Sequence, residues 1–258
     1  MSFLQRLFGK RRFNIKCGGV NIVGDNNVVI GNNHVINRHT KRVKGNGKMK
    51  DLEFNDIPDF REIELNLPAK LYYTVDDKPY LKMTIDENLI GAIECKAQGD
   101  TSVFQLTHDW ENVNIEPTEI TIVLSTKDID KVVVNGSGEV YMGYMTPDRI
   151  KTFVNGSGSV DFQYIGTKSV VLSISGSGNI NVKDGNITNM IATVGGSGAI
   201  DSQANCKKTR AEIFGSGCIS VTCSDSLFYD IAGSGQVLFR GDCSYDGNIF
   251  GSGLVGRL

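Results

Sequence analysis

The chain has 258 residues, 40% of them apolar, with a formal net charge of −2 and 30 glycines against only 5 prolines. That apolar share supports a packed core and excludes a disordered or collagen-like chain. No run reaches the roughly 18 apolar residues of a membrane-spanning helix. The near-neutral total is a cancellation, because residues 1–50 carry eleven Lys/Arg against Asp25 alone and the rest of the chain carries an excess of twelve acids.

Residues 1–43 read as a basic N-terminal arm. Phe3, Leu4, Leu7 and Phe8 share one helical face, flanked by Arg6, Lys10, Arg11 and Arg12, with Lys16 beyond them. This stretch lacks the apolar core and cleavage site of a secretory signal, so the expected compartment is cytoplasmic, with a virion-associated or membrane-peripheral place as the alternative. A basic arm on an acidic body suits nucleic acid, an anionic membrane, or acidic faces of its own body or a sister subunit. Within the arm, Gly24-Asp25-Asn26-Asn27-Val28-Val29-Ile30 recurs as Gly31-Asn32-Asn33-His34-Val35-Ile36. Asn and Gly suit tight turns and Val/Ile suit strands, so the block is expected to be an oligomerisation element.

Residues 44–131 are strand-like, with runs predicted at 61–65, 70–75, 80–85, 102–106 and 119–124. Asp76-Asp77-Lys78-Pro79, Gly99-Asp100 and Glu116-Pro117 mark turns between them. Residues 87–93 make one or two helical turns at most.

Residues 132–258 are organised by seven Gly-Ser-Gly triplets, beginning with Gly136-Ser137-Gly138 and continuing from Gly156, Gly176, Gly196, Gly215, Gly233 and Gly251, at spacings of 18 to 20. Two residues before each triplet stand Val134, Val154, Ile174, Val194, Ile213, Ile231 and Ile249. Two after it stand Val140, Val160, Ile180, Ile200, Ile219, Val237 and Val255. All fourteen are β-branched, and period-two alternation extends outward from them, so these segments are strands with one face inward. The predicted fold is all-β: a single-stranded β-helix, or solenoid, with 18–20-residue coils marked by Gly-Ser-Gly corners. The triplet glycines meet a demand for positive φ or close backbone approach, and the serines are expected to ladder through their hydroxyls. Cys206, Cys223 and Cys243 fall at similar places in successive coils and read as an inward thiol stack.

Outward corner positions turn apolar along the array. Asn135, Asn155 and Ser175 give way to Phe214, Ala232 and Phe250 before the triplet, and Cys218 and Leu254 appear after it. Phe214, Cys218, Phe250 and Leu254 are therefore the candidate interface. The chain also stops five residues past the last triplet, so the expectation is that a partner, most simply a second copy, buries these coils.

Gly45-Asn46-Gly47, then Ile57-Pro58-Asp59-Phe60-Arg61-Glu62-Ile63-Glu64-Leu65, then Asp86-Glu87-Asn88-Leu89-Ile90, then the first triplets, resemble in order the head GIN domain of autotransporter-adhesin-like proteins, over about residues 44–258. The resemblance implies a β-helical, non-enzymatic protein with no catalytic residues to carry over. Members usually look exported, and this chain shows no such signal.

No catalytic, cofactor or metal residues are expected. Consecutive outward positions repeat no carboxylate pair; Asp161, Asp184 and Asp201 read as turn residues. The cysteines and the three histidines give no zinc spacing. Gly45-Asn46-Gly47-Lys48 lacks the spacing of a phosphate loop. A calcium-binding repeat would need Asp after the glycines, where Glu139, Ser159, Asn179 and Ala199 stand. The expected function is that of a homo-oligomeric binding or assembly protein using its solenoid faces. The alternatives are an adhesive or receptor-contacting head, a protein that sequesters a small ligand or effector, and a polysaccharide-active enzyme.

Overall fold

The computed structural model describes residues 41–258 except 56, 111 and 112. The basic-arm residues Arg6, Lys10, Arg11, Arg12 and Lys16, and the Gly-Asn-Asn block, lie outside the described residues. The remainder is nearly all-β, wound as a β-solenoid of about six turns of roughly twenty residues.

Each coil places one strand before the Gly-Ser-Gly corner and another after it, and equivalent strands of successive coils pair in parallel. The pre-corner sheet runs through β3 (Glu62–Leu65), β10 (Lys131–Gly136), β12 (Arg149–Gly156), then the later parts of β13 (Ser159–Gly176), β15 (Gly185–Gly196), β16 (Ala199–Gly215) and β17 (Cys218–Gly233), to β19 (Ser244–Gly251). The post-corner sheet runs through β4 (Lys70–Val75), β11 (Glu139–Met145), the first part of β13, β14 (Asn179–Val182), the first parts of β16 and β17, then β18 (Gln236–Arg240) and β20 (Leu254–Arg257).

Register is strict: Val134 lies beside Val154, Val154 beside Ile174, and so on to Ile231 beside Ile249. These positions and their post-corner counterparts are buried in every coil up to the one containing Val237, and together they form the core. A one-residue slip would turn each Val/Ile column outward, which is why pairing admits no other register.

The corners explain the glycines. The first glycine of every triplet has φ between +100° and +132°, a region that side chains rarely adopt. A Cβ on Gly176 would sit 2.4 Å from the Gly156 carbonyl oxygen, and one on Gly178 would sit 2.5 Å from Val154 Cγ1. The serines connect coils through the backbone rather than through the hydroxyl ladder expected: from Ser157 to Ser252, each amide donates to the first glycine carbonyl of the preceding triplet at 2.9 Å.

The N-terminal part joins this solenoid out of chain order. After β3 and β4 the chain reverses into β5 (Tyr80–Asp86), makes a 3-10 helix (Glu87–Ala92), and returns as the hairpin of β6 (Ile93–Gln98) and β7 (Thr101–Leu106). It then passes β8 (Val113–Glu116) to reach β9 (Ile120–Thr126). Strand β7 lies beside β3, while β9 slots between β4 and the antiparallel β5, whose far side carries β2 (Met49–Phe54). A separate parallel pair joins β8 to β1 (Lys41–Lys44). Large side chains fill this end, among them Phe104, Leu71, Leu81, Leu89 and Tyr73, whose hydroxyl donates to the Thr126 carbonyl at 3.0 Å.

The Gly45-Asn46-Gly47 and Asp86-Glu87-Asn88 motifs meet in space. Asp86, fully buried, accepts hydrogen bonds from the Gly47 amide at 2.8 Å and from the Thr118 amide and hydroxyl at 2.7 and 2.9 Å. Burial alone would raise its pKa, but these donors outweigh it and the carboxyl lies below its ordinary value. A Cβ on Gly45 would collide with that carboxylate. Asn88 closes the clip by accepting from the Asn46 amide and donating to the Lys44 carbonyl.

Candidate binding surface

The outward columns change character along the solenoid axis. Near the N-terminal end, the column just before the corner is an amide ladder. Asn155 donates to Asn135 at 2.8 Å and Asn135 to Asn66 at 2.6 Å, with Glu64 accepting from both Asn135 and Asn66. Three coils beyond Asn155, the same column holds Phe214, then Ala232 and Phe250. Phe214 is 55% exposed and Phe250 67% exposed.

Across the corner, Cys218 is half-buried and Leu254 is 52% exposed. The four candidate interface residues thus flank one corner ridge over the last three triplets. Cys218 has its pKa raised by burial and by nearby Asp201, which keeps it in the unreactive thiol form at neutral pH.

The other cysteines among the described residues are also structural in character. Cys206 and Cys223 are buried register neighbours. Burial pushes the Cys206 thiol up to about 11, and both sulfurs donate weakly to backbone carbonyls. Cys243 is half-buried near Cys223 and is likewise pushed up to about 11 by burial. Cys95, wholly buried beside Glu94, rises to about 12.

The acid positions require a correction. Asp161 lies in β13 and Asp201 in β16, facing outward in one post-corner column with Asn181 between them; Asn181 donates to Asp161 at 2.8 Å. They are strand residues, because the alternation that sends Val160 and Ile200 inward sends their neighbours outward. Only Asp184 is a turn residue, accepting from the Gly185 amide. Among the described residues, no group of three or more His, Cys, Asp or Glu is arranged to hold a metal ion.

Two features were not foreseen from the sequence. One is a tyrosine face on the post-corner sheet near the N-terminal end. Tyr72 stacks on Tyr141 at 4.9 Å, and Tyr144, 64% exposed, stacks on Tyr164 at 4.1 Å. The 20-residue spacing of Tyr144 and Tyr164 was a usable signal, since a one-coil offset places like residues in contact. The other is a shallow groove of about 510 Å³ that crosses four coils at the start of their pre-corner strands. Exposed Ile191 and Tyr245 border it, with Arg210 over the Phe228 ring at 4.9 Å, Lys208 alongside and Asp246 at its end.

The family model described as "Putative auto-transporter adhesin, head GIN domain" matches residues 59–243. The chain belongs to this family. Several solved structures share the fold, among them the following three. A "putative lipid binding protein" from Parabacteroides distasonis is 26% identical, with a TM-score of 0.72, over 84% of this chain and 100% of its own. A "putative adhesin" from Bacteroides fragilis is 17% identical, with a TM-score of 0.77, over 84% and 100%. Another from Parabacteroides merdae is 21% identical, with a TM-score of 0.67, over 84% and 99%. No curated protein matches the chain in sequence. The GIN-domain family and these neighbours are described as adhesins or binding proteins rather than enzymes. No helix among the described residues is long and apolar enough to cross a membrane.

Proposed function

We propose that this GIN-domain chain is a non-enzymatic binding and assembly protein that associates with copies of itself through its C-terminal coils. The observation that carries this reading is the exposed apolar ridge of Phe214, Phe250 and Leu254, on coils whose earlier equivalents are polar amides. Contiguous exposed apolar side chains beside open strand edges favour a protein contact over solvent. Analytical ultracentrifugation of the 258-residue chain at micromolar concentration is expected to give a discrete assembly. A monomer overturns the reading.

A second reading is favoured by the groove from Ile191 to Tyr245, with its aromatic and aliphatic walls and its cations Lys208 and Arg210. These features suit a small ligand with an apolar body and an anionic end, and one structural relative carries a lipid-binding description. Titration with a medium-chain fatty acid, read by calorimetry and by loss of binding in Ile191→Asp, tests it. The family's adhesin description favours a place on a surface, and fractionation of the source cells with an antibody to the chain separates that place from a cytoplasmic one.

A further inference from the structure

The coil formed by β19 and β20 is paired on one side only: β19 with β17, and β20 with β18. No described residue pairs with its other side. Core positions closed in every earlier coil are open on this one. Ile249 is 41% exposed and Val255 half-buried, whereas Ile231 and Val237 are sealed.

The direction of the free backbone groups is set by the bonds already made. The amides of Ser252, Leu254 and Leu258 donate back to Gly233, Gly235 and Phe239. Amides alternate along a strand, so those of Val255 and Arg257 point to the open side. On the other arm, Lys151 donates back to Asp130, and register carries Lys151 through Val171, Ile191, Arg210 and Phe228 to Asp246. Asp246, Asn248 and Phe250 therefore point back, leaving Gly247 and Ile249 facing out.

The exposed end is thus two strand edges meeting at a Gly-Ser-Gly corner, and a partner that covers it must have two arms at the same angle. We propose that this partner is the same coil of a second copy, with β19 of one chain antiparallel to β20 of the other about a two-fold axis at Ser252. The proposal rests on the self-association reading and names its surface. The axis pairs Val255 with Ile249 and Arg257 with Gly247, all four facing the partner; the Gly247 amide already donates to its own Asp246 carboxylate at 2.9 Å, which leaves about six hydrogen bonds across the junction. It sets Leu254 beside Phe250 on the outer face and closes Ile249 and Val255 into a continuous core. Inward residues meet inward ones and outward meet outward, as an isologous contact requires. Charge disfavours the alternative: Asp246 is the one ionised side chain of β19, so pairing β19 with itself sets acid against acid, whereas crossing the arms does not, and Arg257 of β20 is held by Asp242 of its own chain at 3.0 Å.

The test uses the full 258-residue chain. Native mass measurement of the unmodified protein is expected to give twice 28.1 kDa. Phe250→Cys and Leu254→Cys chains, purified separately, mixed and mildly oxidised, are expected to form covalent dimer at least ten-fold faster than either variant alone or the unmodified protein, which controls for native thiols. Ile249→Lys and Leu254→Lys are each expected to give monomers with unchanged circular dichroism. A dimer without the mixed-only cross-link, or one that survives both lysine variants, overturns this surface and leaves self-association standing. A monomeric unmodified protein overturns both, including the case in which residues 1–40 of the same chain cover the coil.

Discussion

At the N-terminal end of the solenoid the outermost rung, β7 and β9, is flanked by β6 and β5 running antiparallel to it; at the other end β19 and β20 have partners on one side only. Antiparallel flanking strands stop the parallel stack, because the next coil would have to pair against reversed chain. That end also carries buried Tyr73 and Phe104 and the Asp86 clip. The far end keeps its Val/Ile columns but leaves the last pair uncovered, and its outer face is aromatic rather than amide. The sheets are continuous between the two ends, so the difference lies beyond the final rung of each. One end has an internal stop, and the other presents the pattern that each coil offers the next.

The comparison is tested most severely by the core. Phe104→Ala, at the closed end, is expected to cost about 4 kcal/mol, because a fully buried ring leaves a cavity between fixed strands. Val255→Ala, at a half-buried inward position of the open coil, is expected to cost less than about 1 kcal/mol. Urea unfolding of the two variants measures both, and equal losses would mean the C-terminal coil is packed as tightly as the other end.

Corners give the next largest effect. Gly176→Ala forces a side chain into φ +131° and onto the Gly156 carbonyl. With coils fixed on both sides the expected loss is about 3 kcal/mol, a fall in Tm of about 6–12 °C at this chain length. Gly251→Ala meets a similar clash, but its coil is held on one side and can shift, so about half that fall is expected by calorimetry.

The Asp86 clip makes the closed end sensitive to acid. Removing the carboxylate by Asp86→Ala takes the acceptor from the Gly47 and Thr118 amides, at a cost of about 1 kcal/mol because both residues lie at the surface where water can replace it. Because its pKa is lowered in the folded chain, the clip's charge-dependent stabilisation is complete above the unfolded value near 3.9 and is lost as pH falls through the lower folded value. Melting from pH 6 to pH 2.5 is therefore expected to fall less steeply for Asp86→Asn than for the unmodified chain. Parallel curves would show that Asp86 does not carry the acid response.

The same asymmetry governs what the sequence reveals. In residues 132–258 each coil must present the same inward residues at the same offset, so stacking is written directly as repetition. The candidate ridge was legible for the same reason: Phe214 and Phe250 stand where an aligned column had held asparagine. In residues 44–131 the repeat is hidden, because β7 and β9 form a rung that comes after β3 and β4 in the chain but lies outside them in space. Strand β6 was missed although Gly99, with φ +63°, sits in its turn to β7; a turn before a strand implies a hairpin partner. The family motifs around Gly45 and Asp86 were visible as words, but what joins them is one carboxylate reaching across 39 residues to the Gly47 amide. The groove has no linear signature, since its walls come from four coils.

The smallest expected change in stability separates surface from core most sharply. Phe214 points away from the core and is more than half exposed, with Gly195 and Ala232 beside it in register. Phe214→Ser removes no core packing, so its unfolding free energy is expected to stay within about 0.5 kcal/mol of the unmodified chain. Phe214 stands two coils from the last rung, so a contact that extends along the ridge predicts that this substitution weakens self-association several-fold in a dilution series followed by light scattering, whereas the end-to-end contact at Ser252 alone predicts no change. An aromatic side chain kept for packing would do the reverse, lowering stability and leaving association unchanged. The two measurements on one variant therefore decide whether the change from asparagine to phenylalanine along this column belongs to the fold or to the contact.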